Sequence, residues 1–408
     1  MASPLFFRTN IQIYISFLLF VINVYLRSQT LKIIAKKHMK KVFKKTVLLF
    51  GALMFMCQMN AQPGGRMVQV SSPVVNSDNT VTFNYRNDNA KSVQVDVQFA
   101  GKHDMFKNEA GVWTLTLGPA APDIYPYCFI VDGVSVMDPL NPEWFPNEGF
   151  KNSLLDIRGD EPLIHAAQNV PHGSVDYVNY YSETMGLYGN AIIYTPPFYD
   201  KNPDKKYPVF YLISGTTDTE EVYFKVGKVN FILDNLIAQG RAKDMIVVLP
   251  YGNPSKYFPA GTNTMGMGDI FSKDLINDLM PYVEKNYRTI EDREYRGIGG
   301  FSRGGNQGLA IGLQNLDKFS YLCSYSSFTQ TNIPGVYDNA AETNEKINLF
   351  WLGVGTDDFL YGNAKDYMDF LDKKGIENVK VFTDDKFGHT WMNAKYFLDQ
   401  SLPLLFQK

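Results

Sequence analysis

Residues 297–305 read Gly-Ile-Gly-Gly-Phe-Ser-Arg-Gly-Gly: five glycines crowd around one serine, Ser302, and one bulky aromatic, Phe301. The stretch contains Gly-x-Ser-x-Gly, from Gly300 to Gly304, and its surroundings give the pattern a mechanical meaning. A short strand-like run, residues 296–300, leads into it, and residues 304–316, GGNQGLAIGLQNL, continue as a helix. A serine at a tight strand-to-helix turn takes a strained backbone conformation that points its hydroxyl outward, and neighbours without side chains leave room for the turn. The helix starting behind it adds free N–H groups and the positive end of a dipole where an oxyanion would form. Ser302 is therefore the candidate nucleophile.

The flanking pattern agrees with a strand–turn–helix reading. Apolar runs at 191–194, 209–213, 245–249, 298–300, 349–354 and 379–382 alternate with helical stretches at 230–239, 269–287, 364–374 and 391–405. Strands buried on both faces and separated by helices describe an α/β domain with a mainly parallel sheet, over residues 187–408.

A nucleophilic serine needs a base. Beyond residue 61 the histidines are His103, His165, His172 and His389, and only His389 lies downstream of Ser302. That is the position the α/β-hydrolase order of Ser, acid, His requires. His389 also sits in a loop between the run at 379–382 and the helix starting at Trp391, beside Gly388. The acid should follow the preceding strand, and the run at 349–354 ends in Gly355-Thr356-Asp357-Asp358-Phe359, which offers two adjacent carboxylates. Asp384 and Asp385 share the histidine's own loop and fit less well. The second backbone donor of an oxyanion hole, besides the N–H of Arg303, is expected from Ser214-Gly215-Thr216-Thr217, a turn just after an early strand.

The first half of the chain reads differently. From 67 to 157 apolar and polar residues alternate, as in Val93, Val95, Val97 and Phe99, or Tyr125, Tyr127, Phe129 and Val131. Turn clusters such as residues 76–79 separate them. Short alternating strands predict a small antiparallel, immunoglobulin-like sandwich over residues 62–158, with Pro126 marking an edge position. Residues 159–186, with Pro162, Pro171 and Gly173, read as a linker.

Residues 1–61 hold nine Lys and Arg and no Asp or Glu, leaving 30 basic against 42 acidic residues, a formal charge of −12, for the remainder. A body that acidic argues against nucleic-acid binding, which needs clustered cations, and favours a neutral substrate. From Met39 a cationic start, an apolar run over 46–56 and Ala61 before Gln62 have the layout of a signal peptide cleaved after Ala61. Residues 39–61 are therefore the expected leader, residues 1–38 an overlong start, and the product secreted or periplasmic without stable membrane association. The rival is a membrane helix over residues 9–26. Cys57 follows bulky Phe55 and Met56, a poor lipidation site, and Cys128 and Cys323 are far apart, so no disulfide framework is expected.

With these residues in place, the chain resembles carbohydrate esterase family 1, the esterase D-like α/β-hydrolases that include feruloyl and acetylxylan esterases. The segments HGSVDYVNYYSETMG, YTPPFYD, YPVFYLISG, GFSRGG, GTDDF and GHTWMN carry the resemblance in order. The front region, with YRNDNAKSVQV, GVWTLTLGP and YCFIVDGVSVMDPLNP, is similar to the early-set, CBM48-like sandwich found before such esterases. The resemblance implies a triad of Ser302, Asp358 and His389, with Asp357 the fallback acid, and oxyanion donors from the backbones of Thr216 and Arg303. Family members often carry His-Gly where this chain has Ser214-Gly215.

The reaction this predicts is hydrolysis of ester decorations on plant cell-wall xylan, feruloyl ahead of acetyl, with no metal or cofactor. The expected partner is a feruloylated or acetylated arabinoxylan. Tyr223, Tyr257, Phe359 and Trp391 are expected to contact a phenolic acyl group by stacking. Competing readings are a siderophore-lactone esterase and a non-catalytic carbohydrate-binding protein. The front sandwich is read as packing against the esterase and shaping its cleft, ahead of the alternative that it binds polysaccharide.

Overall fold

The computed structural model describes residues 70–253, 257–258, 267–384 and 388–407, together with Ile15, Ser16, Leu18 and Leu19. The leader at 39–61, the start at Met39, the cleavage after Ala61 and Cys57 lie outside the described residues, as does nearly all of the apolar run at 9–26. Among the described residues no helix is long and apolar enough to cross a membrane.

The alternating segments of the front half form nine strands: β1 (Val74–Val75), β2 (Val81–Arg86), β3 (Val93–Val97), β4 (Gly101–Asp104), β5 (Phe106–Lys107), β6 (Val112–Leu117), β7 (Asp123–Val131), β8 (Val134–Val136) and β9 (Ser153–Ile157). They make two antiparallel sheets, ordered β1-β2-β6-β5 and β4-β3-β7-β8, with β9 also pairing β7. Inward residues of both sheets meet in one core: Phe83 packs on Tyr127 at 5.1 Å and Tyr85 on Phe129 at 4.9 Å between ring centroids. Period-two alternation puts one face of each strand in that core.

Pro126 does not mark an edge strand, because β7 lies between β3 on one side and β8 and β9 on the other. The ladder with β3 starts at Tyr127, and at Pro126 itself only the Gln98 N–H, just past the end of β3, reaches across to its carbonyl at 3.1 Å, while β9 pairs on the other side. A missing N–H is tolerated where a ladder has ended.

Eight more strands form a mixed sheet: β10 (Ser174–Ser182), β11 (Leu187–Thr195), β12 (Val209–Ile213), β13 (Ile246–Pro250), β14 (Arg296–Phe301), β15 (Tyr321–Tyr325), β16 (Leu349–Gly355) and β17 (Val379–Thr383). Their order is β10-β11-β13-β12-β14-β15-β16-β17; β11 runs antiparallel to β10 and β13, and the rest are parallel. Helices cover both faces, which is why β12, β13 and β15 are buried along their whole length. One face carries α1 (Val222–Lys225), α2 (Val229–Ala238) and α8 (Trp391–Ser401). The other carries α3 (Met267–Asp274), a π-turn at Leu275–Leu279, α4 (Met280–Asn286), α5 (Arg303–Gln314) and α7 (Tyr361–Lys374), while the short α6 (Ala340–Lys346) precedes β16.

Two features differ from the sequence reading. The expected linker at 159–186 contains β10, nine residues in unbroken register with β11. Its period is hidden because Tyr177 and Tyr181 occupy the exposed face of an edge hairpin, so both faces read as apolar. β15 was not anticipated, since Cys323 and Ser324 interrupt a run of only five residues. Residues 70–408 pack as one compact unit, and Cys128 and Cys323 are buried and unpaired.

Candidate active site

Ser302 stands between β14 and α5 with φ 57° and ψ −124°, a conformation that L residues avoid and that the surrounding structure must enforce. Its N–H donates to the Tyr325 carbonyl on β15 at 2.9 Å, which pins the turn from one side. From the other side β12 passes so close that a Cβ on Gly300 or Gly304 would lie 2.4 or 2.1 Å from the Ile213 carbonyl oxygen. No side chain fits there, and this accounts for the glycine pair that frames the serine.

His389 Nε2 lies 2.9 Å from Ser302 Oγ, and its Nδ1 lies 3.0 and 2.9 Å from the two carboxylate oxygens of Asp358. An ionised carboxylate only accepts, so Nδ1 carries the ring proton and Nε2 is left to accept from the serine hydroxyl. Burial would raise the Asp358 pKa, but hydrogen bonds from His389 and from the Leu360 N–H outweigh it and hold the group below its usual value. Of the two adjacent carboxylates, Asp357 faces solvent and Asp358 is buried against the imidazole. Phe301 stacks on one side of the ring at 4.7 Å and Phe359 lies against it at 4.5 Å, which restricts the imidazole plane. Asp384 is exposed, and Asp385 lies outside the described residues.

The turn after β12 comes up beside the serine: a Cβ on Gly215 would be 3.6 Å from Ser302 Cβ. Arg303 Nη2 donates to the Gly215 carbonyl at 2.9 Å, and Nη1 to the Gly252 carbonyl at 2.8 Å. In a trans peptide the C=O and the following N–H point in opposite directions, so tying back the Gly215 oxygen aims the Thr216 N–H away from the Arg303 guanidinium. Among the described residues that N–H meets no acceptor. The Arg303 side chain thus acts on the turn, a role sequence reading had confined to its backbone.

Ser302 and His389 open into a pocket of about 470 Å³ that both halves of the chain build. Thr216, Thr217, Phe359 and Trp391 line it from the hydrolase, and Gln98, Ile124, Pro126, Phe145, Asn147 and Phe150 from the front region. Asp218, 5% exposed, lies in its wall. Burial pushes the Asp218 carboxyl up to about 6, opposed by the Asn147 amide, the Arg303 charge and the Trp391 indole. Neither Asp218 nor the front residues carried a motif in the sequence.

Two of the four aromatics expected at the acyl group are here and two are not. Phe359 is 74% exposed and Trp391 forms part of the wall. Tyr223 is fully buried behind Trp391, ring centroids 4.8 Å apart, and its hydroxyl donates to the Ile213 carbonyl. It follows Asp218 by only five residues, but it sits in α1, which turns it into the core. Tyr257 lines a separate polar cleft with Trp144, Asn190 and Tyr251, where its oxygen accepts from the Asn190 N–H. Among the described residues no group of three or more His, Cys, Asp or Glu side chains converges as metal ligands would.

Residues 182–391, just over half of the chain, match the sequence profile of the Esterase family, described as "Putative esterase". An endo-1,4-beta-xylanase/feruloyl esterase of Xylanibacter ruminicola is 32% identical over 257 residues, 61% of this chain and 35% of that protein. The chain therefore spans about a third of that relative's length. The solved structure of a ferulic acid esterase from Anaeromyces mucronatus, in complex with ferulic acid, is 25% identical with a TM-score of 0.51, covering 59% of this chain and 93% of that one. An enterobactin esterase from Shigella flexneri shares the fold at 18% identity and a TM-score of 0.58, over 80% of this chain and 93% of its own. That share reaches well beyond residues 182–391 into the front β region.

Proposed function

The chain belongs to the Esterase family, and on that footing we propose that it is a feruloyl esterase acting on xylan, with Ser302 as nucleophile, His389 as base and Asp358 as the acid that orients it. His389 Nε2 takes the Ser302 proton as Oγ attacks the ester carbonyl, and the tetrahedral oxyanion is held by the backbone N–H groups of Thr216 and Arg303. Asp358 stabilises the imidazolium without taking its proton, and His389 returns the proton to the leaving sugar hydroxyl. Water, activated by the same imidazole, then releases the acid from Ser302.

The observation that carries this reading is the 2.9 Å approach of His389 Nε2 to Ser302 Oγ at the mouth of an aromatic-walled pocket of about 470 Å³. Pockets of several hundred Å³ suit a whole phenolic acid, whereas an acetyl group would leave most of the volume to water. The xylanase/feruloyl esterase relative supports a xylan-borne ester, and within the family we assign the chain to carbohydrate esterase family 1.

The front region we read as an early-set, CBM48-like and immunoglobulin-like module over residues 62–158, joined through 159–186 to the esterase at 187–408. Its two antiparallel sheets over one core support this. A polymeric substrate and the leader-like residues 39–61 together favour export.

Ser302→Ala should lower kcat/KM for methyl ferulate by several powers of ten, and retained turnover would falsify the nucleophile assignment. A parallel comparison of methyl ferulate, an acetylated xylo-oligosaccharide and a catecholate lactone tests the substrate: a higher kcat/KM for either of the latter two sinks the feruloyl reading.

A further inference from the structure

The turn that presents Thr216 is held partly from outside the hydrolase. Asn147, 3% exposed, comes from the loop between β8 and β9 of the front region. Its Nδ2 donates to Asp218 Oδ1 at 2.8 Å, and its Oδ1 accepts from the Thr217 hydroxyl at 3.0 Å, from Gly149 N–H at 2.7 Å and from Phe150 N–H at 3.2 Å. Backbone bonds run beside it: Glu148 N–H to the Thr217 carbonyl at 2.7 Å and Thr219 N–H to the Pro146 carbonyl at 3.1 Å, flanking an antiparallel bridge between Asn147 and Asp218.

Thr217 has φ 59°, a left-handed conformation that is an outlier for a β-branched residue. Such a residue persists only where its surroundings over-determine it. Within the hydrolase Arg303 fixes the Gly215 end of the turn, the Asp218 N–H closes it on the Gly215 carbonyl at 3.3 Å and the Ser214 hydroxyl donates to the Asp218 carbonyl at 3.2 Å, but among the described residues none of these bonds reaches the Thr217 side chain or carbonyl. At Thr217 itself, the strained residue, the holding bonds therefore come from residues 147 and 148.

We propose that Asn147 is a positioning residue for the oxyanion hole, holding the Thr217–Asp218 turn so that the Thr216 N–H stays aimed at the reacting carbonyl. The front β region then completes the catalytic centre, beyond any part it plays in binding polymer. This rests on the serine-esterase reading above and adds to it a chain segment that the Esterase match, starting at residue 182, does not include.

The test uses the full chain and methyl ferulate, which has no sugar for a binding module to hold. Asn147→Ala should lower kcat about 10- to 100-fold, less than deleting a donor outright, with KM within about twofold. An arylboronic acid, which becomes tetrahedral on Ser302, should lose affinity by the same factor as kcat, and ferulate, a planar product, should not.

Asn147→Asp places a second carboxyl against Asp218, whose other close neighbours are the Arg303 guanidinium, the Tyr223 ring and the Trp391 indole, while the Lys151 ammonium donates to the backbone carbonyl of residue 147 at 2.7 Å. Two carboxylates at that distance share one proton. The kcat of the variant relative to the parent should therefore be lowest at pH 8 and recover as the pH falls. The exchange pair Asn147→Asp with Asp218→Asn restores a donor and an acceptor and should recover most of kcat at pH 8, and it decides the matter if Asn147→Ala fails to fold. Unchanged kcat and boronate affinity in Asn147→Ala, or an exchange pair no better than Asn147→Asp alone, overturns the proposal. If Ser302→Ala keeps its turnover, the esterase reading itself has failed; if it loses turnover while the Asn147 variants keep theirs, only this inference has.

Discussion

Where residues 145–150 meet the turn after β12, an amide, a hydroxyl and the Asp218 carboxyl make the contact, with no cation among these groups; where β7 meets α8, a buried ammonium and carboxylate do. In the second seam Lys395, its side chain 2% exposed, pairs with Asp123, and His165 lies 3.8 Å from the same carboxylate. Hydrogen bonds of the Asn147 kind contribute about 1 kcal/mol each, or about 1.5–3 kcal/mol where the partner is an ionised Asp218, and fix direction. A buried ion pair is weak evidence for net stability, yet removing one partner leaves a charge without compensation. The first seam is therefore suited to aiming a turn and the second to tying α8, which starts two residues after His389, to the front region.

The largest expected effect comes from breaking the ionic seam. Lys395→Ala should cost about 3–5 kcal/mol in urea unfolding because Asp123 stays buried, while the folded fraction keeps its kcat for methyl ferulate. A loss under 1 kcal/mol would mean that Asp123 reaches water. Asn147→Ala should show the opposite profile: a smaller stability loss, about 1–3 kcal/mol from the orphaned Asp218 oxygen, with the large effect on kcat. Equal stability losses, or a kcat effect in Lys395→Ala, would erase the distinction between the seams.

The pH dependence of stability separates them next. Burial, with repulsion from Lys395, pushes His165 down to about 4, and attraction to Asp123 only partly offsets this. Its contribution is present above pH 6.5 and is lost as pH falls toward 4, because the unfolded chain binds the proton more readily. Asp218 is raised from 3.8 to about 6, so its contribution is present below pH 3.8 and is lost as pH rises through 6. Between pH 4 and 6 the two oppose each other. His165→Gln should tilt a plot of Tm against pH downward across that window and Asp218→Asn should tilt it upward; parallel curves for the parent and both variants would contradict these environments.

The smallest effect concerns Phe359. It is exposed and lies 4.5 Å from His389, so Phe359→Ala should raise KM for methyl ferulate a few-fold, in line with the ~0.5–1.5 kcal/mol of an aromatic contact. An acetyl ester should be affected less. Equal changes for both esters would assign Phe359 to the imidazole alone.

Much of the hydrolase half was legible because its signals are local. A strand, a glycine-framed serine and a helix lie within twenty residues, and His389 was the sole histidine downstream. The choice between Asp357 and Asp358 was not legible from the residues alone, since adjacent carboxylates at a strand end look alike until the loop turns one inward. Tyr223 misled for the same reason: proximity in sequence to the turn after β12 does not say which face of a short helix it occupies. β10 was hidden by tyrosines on an exposed edge, where the rule that apolar residues point inward has exceptions.

The chain order of serine, acid and histidine, the two strand periodicities and the glycines that permit the turn at Ser302 were determined by the sequence itself, because each rests on neighbours within a few residues. That Asn147 meets Asp218, 71 positions away, and that Asp123 meets Lys395, 272 positions away, only the tertiary structure decided. Such pairings depend on how β7, β9 and the loop between β8 and β9 pack on the hydrolase, and no local pattern of residues encodes contacts between layers so far apart in the chain.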